Sequence, residues 1–233
     1  MERPRPARNA RQDYVITAKT LRLIVLLGIA GGFLDAFTFV AHGGVFANAQ
    51  TGNVVLLGVA AAHGDAAGAL RHVPPLIAFV LGVAAAETLT HPRVAPLMRR
   101  PIRVALVIEI AVLLVVGAIP TWFAGSAVVL AVAFVAALQN ATFGTVREWS
   151  VNTTMTTGNL RTAARATYRA VFRRDAEAAT QARAFGLVVL SFLVGAGVGA
   201  LVAELVGNMA AWGAALLIVT GLGLFFLDER PPG

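Results

Sequence analysis

Two features of this chain carry residue types able to do chemistry. One is Asp35, an acid inside the apolar run Leu21 to Val40. A carboxyl group at such depth is costly and faces a protein interior or a wet cavity. Gly31, Asp35, Thr38 and His42 fall on one face of a helix at i, i+4, i+7 and i+11. The other feature is a polar phrase that occurs twice. Val45 to Asn53 reads V-F-A-N-A-Q-T-G-N, and Val151 to Asn159 reads V-N-T-T-M-T-T-G-N. Asn48, Gln50, Thr51, Gly52 and Asn53 are the candidate residues of the first copy; Thr157, Gly158 and Asn159 are those of the second.

In each copy irregular backbone is expected to turn into a short helix. Glycine permits close approach, threonine can cap the helix start, and asparagine offers a donor and an acceptor. The free amides of a half-helix N-terminus attract an anion, a carbonyl oxygen or water. Asp35 and a second acid within an apolar run, Glu109, are candidate proton or cation sites. Gln139 and Asn140 add polar groups near the end of another run. Each feature has a plainer reading. Asp35 caps a helix or bonds a neighbouring backbone. Thr-Gly-Asn ties down its own loop. Glu109 pairs with an arginine such as Arg103, or is held neutral by burial.

The elements that must position these groups are hydrophobic. The 233 residues are 58% hydrophobic and 13% charged, with mean hydropathy +0.75. That is too little charge to cover a soluble domain. Apolar runs near the length of a bilayer-spanning helix recur at 21–40, 75–89, 102–119, 126–145, 183–203 and 210–227. Thr51 to Ala62 is apolar but short: its rise of roughly 18 Å falls well below a ~30 Å core. The stretch 160–174 carries Arg161, Arg165, Arg169 and Arg173 at intervals of four, with Leu160, Ala163, Ala164 and Val171 opposite. It reads as an amphipathic helix on an anionic lipid surface. The net charge of +7 sits in the gaps between apolar runs, which argues for cytoplasmic loops and against nucleic acid. There is no cysteine, and the four histidines show no zinc spacing, so no metal or other cofactor is expected.

The halves align. Thr-Gly-Asn recurs after 106 residues, Phe79-Val-Leu-Gly82 answers Phe192-Leu-Val-Gly195, and Asp35 falls within a residue or so of Asn140. The expected fold is all-α: a polytopic membrane helix bundle of six spanning helices plus two short Thr-Gly-Asn helices, built by internal duplication. Residues 1–20 form a disordered basic tail. Residues 21–228 form one integral membrane domain, with repeats at about 21–120 and 126–228. With six spans and both termini in the cytoplasm, Arg71 is the one basic residue left outside. Three spans per half is odd, so the repeats insert with opposite orientation.

Gly32 to Phe39 (G-F-L-D-A-F-T-F), Val45 to Asn53, Leu138 to Gly144 (L-Q-N-A-T-F-G) and Thr156 to Leu160 (T-T-G-N-L) resemble the YoaK-like family, domain of unknown function 1275. The resemblance covers nearly the whole chain after the tail. It implies a multi-pass protein of the bacterial inner membrane and brings no catalytic residues with it.

The leading expectation is a small-solute or ion transporter or channel whose pathway is lined by the two polar segments. The alternative is a non-catalytic scaffold or regulator, docking anionic phospholipid or a partner through the 161–174 arginines. A membrane-embedded lipid enzyme ranks third, because the chain has no Gly-x-Ser-x-Gly, no His-Glu-x-x-His and no paired aspartates. The glycine faces of 75–89 and 183–203 also offer a homodimer surface.

Overall fold

A computed structural model of the chain describes residues 18–94, 101–122, 125–143 and 156–228. Most of the basic tail, part of the 91–103 connector and Val151 to Met155 of the second polar phrase lie outside the described residues.

The described residues are helical, with no strand among them. The helices are α1 (Ala18–Ala41), α2 (Gln50–Ala62), α3 (Ala66–Arg71), α4 (Val73–Thr90), α5 (Pro101–Ala118), α6 (Gly125–Phe143), α7 (Thr156–Arg173), α8 (Ala176–Val206) and α9 (Ala210–Asp228). Four runs are long and apolar enough to cross a membrane: Leu21–Ala41, Ala66–Thr90, Gly125–Thr142 and Ala176–Leu224. This is the pattern of an integral membrane protein. The fourth run, 49 residues long, is two helices. Gly207 breaks it at φ +57°, where the chain turns through Gly207–Met209 into α9. The 18-residue apolar helix α5 packs between α6 and α9.

Two helix pairs pack most closely: α1 with α8, and α4 with α6. Glycine makes both possible. A Cβ on Gly195 would overlap the Ile29 carbonyl of α1, and one on Gly32 would overlap the Phe192 carbonyl of α8. In the other pair, a Cβ on Gly82 would overlap the Phe134 carbonyl of α6. These glycines of α4 and α8 are therefore taken up by packing within the chain. The main core, with Leu27, Phe37, Leu106, Leu113, Val132 and Ile218, joins α1, α5, α6 and α9.

α1 and α8 run parallel: Gly28 meets Ser191, and Phe33 lies against Gly199. α9 runs the other way, with Gly213 against Phe33 and Gly221 against Leu23. After α1 the chain doubles back. Asn48 donates its side-chain amide to the Gly31 carbonyl at 3.1 Å, ten residues before the end of α1 or about 15 Å along its axis. α2 then climbs again, and Arg71 Nη1 donates to the Gly43 carbonyl at 3.4 Å, beside the end of α1.

α7 and α8 form an antiparallel hairpin. Asp175 caps α8, accepting from Ala178 N at 2.9 Å, and takes Arg169 Nη2 at 2.6 Å. Thus α2 and α7 start near mid-bundle and lead to opposite ends.

Between α2 and α4, Asp65 accepts from Gly68 N at 2.9 Å and starts the short helix α3. Thr-Gly-Asn forms the first turn of α2, whose start at Gln50 lies within a residue of the expected Thr51, and of α7, which begins at Thr156 and not at the expected Leu160. α7 leaves Leu160, Ala164 and Val171 exposed. It buries Asn159 and Ala166 and packs Ala163 toward Phe185, because its neighbour is α8.

Candidate functional site

The irregular stretch 42–49 has buried polar backbone that must find partners. Asp35 supplies them from α1. Its Oδ1 accepts from Asn48 N at 2.6 Å and from Ala49 N at 3.4 Å. Ala49 is the N-cap residue of α2 and has no side-chain cap of its own. Thr51 therefore does not cap α2; an acid from another helix does. A carboxyl oxygen is a favourable acceptor at a helix N-terminus, where free amides gather.

Asn53 secures the loop from the other side. Its Oδ1 accepts from Phe46 N at 3.0 Å, and its Nδ2 donates to the Phe46 carbonyl at 2.7 Å and to Gln50 Oε1 at 2.9 Å. Gln50 Nε2 donates to the Ala47 carbonyl at 2.7 Å. Asn53 is fully buried, with every polar atom spent on its own loop. Gly52 leaves room for the Phe46 ring, into which a Cβ would press at 2.8 Å. In the first phrase, then, Gly52 and Asn53 build the loop and Thr51 faces outward.

These residues border a cleft of about 890 Å³. It is lined by Asp35, Asn48, Gln50 and Thr51 on one side and by Thr157, Gly158, Asn159 and Arg161 on the other. Two phrases far apart in sequence thus meet at one cavity. The Phe39 and Phe46 rings, stacked at 4.8 Å, form part of its wall, and Phe185 and Phe192 of α8 form another part. Gly158 has open space beside it, unlike Gly52.

Other expected residues stay outside the lining. Thr38 is buried and donates to the Leu34 and Asp35 carbonyls at 3.1 and 3.2 Å. Glu109 is fully buried on α5, and neither carboxyl oxygen has a partner among the described residues. It is not paired with Arg103. Gln139 is buried on α6, with its Nε2 likewise unpartnered there, and Asn140 is half-buried. Among the described residues no group of three or more His, Asp or Glu side chains gathers as metal ligands.

Arg161 was legible in the sequence only as a lipid-facing arginine; its place in the cleft depends on how α7 docks. Arg161 is exposed at the cleft, and so are the other arginines of α7, at 165, 169 and 173, along the helix. Leu160, Val171 and Phe172 are exposed as well, at 57%, 65% and 72%. The phenylalanines of the cleft gave no signal, because an aromatic in an apolar run reads equally well as core or lipid contact.

No curated protein and no solved structure matches the chain. A family described as "Protein of unknown function (DUF1275)" matches residues 23–224. The YoaK-like label rests on the motif resemblance alone. The match runs from the first helix into the last, and the chain belongs to this DUF1275 family.

Proposed function

We propose that this chain is a small-solute or ion transporter or channel of the bacterial inner membrane. Six helices (α1, α4, α5, α6, α8 and α9) span the bilayer, both termini are cytoplasmic, and the two halves are inverted repeats. The observation that carries the reading is the shared cleft: Thr51 and Thr157 line it together, with Asp35 between the apolar walls. Irregular backbone at membrane depth is tolerated beside a wet cavity or inside protein. Because α2 and α7 lead from the cleft to opposite ends of the bundle, the Thr-Gly-Asn turns would enter from opposite faces of the membrane.

Helix packing supports the duplication. In the alignment α1 answers α6 and α4 answers α8. The tightest pairs, α1 with α8 and α6 with α4, exchange under that correspondence. So do their contacts: Gly195 lies on Ile29, and its counterpart Gly82 lies on Phe134, the counterpart of Ile29. Inverted repeats with broken helices meeting at the midplane are a common transporter plan.

A single cysteine at Ala66, exposed after α2, tests the topology in a chain that has none of its own. Labelling of intact cells by an impermeant thiol reagent is expected. Labelling only after lysis would place that loop in the cytoplasm and end the inverted-repeat reading. For the activity, wild-type liposomes are expected to pass small solutes or ions that Asp35→Asn liposomes pass more slowly. Equal flux in both, or none in either, would count against transport.

The exposed arginine flank of α7, beside its exposed apolar residues, favours a second reading as a non-catalytic scaffold on anionic lipid. Charge reversal at Arg165 and Arg169 separates the two. A scaffold loses its partner or lipid attachment, whereas a transporter keeps flux or changes its gating. Neither reading requires an enzyme.

A further inference from the structure

The transporter reading leaves the cargo open, and the cleft narrows it. Among the described residues lining it, Asp35 is the only acid and Arg161 the only base. No ion pair joins them. Asp35 is 4% exposed, and its Oδ1 is taken up by the backbone of the loop. Beside it Asn48, 1% exposed, spends its amide nitrogen on Gly31, while its Oδ1 has no partner among the described residues. A buried acceptor without a donor is costly, and a ligand that brings one relieves the cost. This side of the cleft therefore calls for a group rich in N–H donors and positively charged. Arg161, on the far side, presents a planar fork of donors and calls for a carboxylate or phosphate.

A plain cation would answer Asp35 and face the charge of Arg161. A plain anion would do the reverse. At Asp35, buried beside the walls of Phe39, Phe46, Phe185 and Phe192, a mismatch goes poorly screened, and at the exposed Arg161 it is weaker. A molecule bearing both charges satisfies both ends, and an apolar body suits the aromatic wall. The volume of about 890 Å³ lies within the range of small-molecule sites.

We propose that the cleft binds a zwitterionic group, an ammonium and an acid on one apolar-bodied molecule, with Asp35 and Asn48 receiving the ammonium and Arg161 the acid. This rests on the transporter reading and names its substrate class. Two sources share the chemistry: a free amino acid, or the headgroup of phosphatidylethanolamine.

The test uses the full chain in nanodiscs of phosphatidylglycerol alone. Three probes are titrated calorimetrically: L-leucine, the cation leucinamide and the anion 4-methylpentanoate. Leucine is expected to bind at least tenfold more tightly than either single-charge probe. Asp35→Asn keeps the acceptor for Asn48 N and is expected to bind leucine no better than 4-methylpentanoate. Arg161→Gln, at an exposed position, is expected to bind it no better than leucinamide. If leucine binds in these discs and added phosphatidylethanolamine leaves that binding unchanged, the source is the free solute. If leucine fails but phosphatidylethanolamine raises Tm through Asp35 and Arg161, the source is the headgroup. Equal binding of all three probes, leucine binding unaltered by both variants, or no response to either zwitterion would overturn the proposal. A chain that moves another solute yet fails here loses only the zwitterion. One that binds leucine yet moves nothing loses only the transport reading.

Discussion

The backbone N–H of Asn48 donates to Oδ1 of Asp35 at 2.6 Å, so an acid of α1 caps a helix to which it does not belong. Removing the acceptor strands a buried amide, at about 1–3 kcal/mol. Asp35→Ala is therefore expected to lower the Tm of the detergent-purified protein by several degrees. Asp35→Asn, which retains an oxygen at the same place, is expected to recover most of the loss. Equal Tm for the two variants would show that the charge, and not the acceptor, holds the loop.

Asn53 and Thr51 share a motif but not a role. Asn53→Ala leaves Phe46 N, the Phe46 carbonyl and Gln50 Oε1 without their partner, again about 1–3 kcal/mol. Thr51 is exposed on the cleft, and Thr51→Ala is expected to unfold within a degree or two of wild type while altering flux. Thermal unfolding run beside a liposome assay checks both. A Thr51→Ala protein as unstable as Asn53→Ala would assign the whole motif to structure.

Gly82 and Gly195 should respond alike. Leucine at either drives a side chain into the backbone of the facing helix, and overpacking of this kind costs about 1–3 kcal/mol or more. Gly197 has nothing within 4 Å of its Cβ position, so Gly197→Ala is expected to be neutral or to stabilise by roughly 0.5–1 kcal/mol through helix propensity. Tm values for the three variants decide this. A mild Gly82→Leu beside a severe Gly195→Leu would break the correspondence of the two helix pairs.

The α7–α8 hairpin should weaken in acid. The Ala178 amide, and after it the Arg169 guanidinium, hold the Asp175 carboxyl below its ordinary value of 3.8. A depressed folded-state pKa means that this stabilisation is complete above the unfolded-state value and is lost as pH falls through the folded-state one. Wild-type Tm is therefore expected to drop more steeply below pH 3.8 than that of Asp175→Asn. Parallel curves for the two proteins would remove Asp175 from the acid response.

Much of this was written in the chain itself. Run length and the scarcity of charge set an apolar helical bundle, because only helices of that length satisfy their own backbone in lipid. The recurrence of Thr-Gly-Asn and the match of Phe79–Gly82 to Phe192–Gly195 are the sequence grounds for the proposed duplication. Asp35 stood out because an acid in such a run needs a reason.

The tertiary structure decided what each of these groups does. Asp35 caps α2 because the chain doubles back beside α1, a contact that no local spacing encodes. Asn53 is consumed by its own loop, while Thr51 and Thr157 come together only because α7 docks along α8. That docking also turns Arg161 toward the cleft, although its four-residue spacing pointed to lipid. Helical periodicity shows which residues share a face; which neighbour covers that face depends on close approach at Gly32, Gly195 and Gly82, and so on packing between segments distant in the chain.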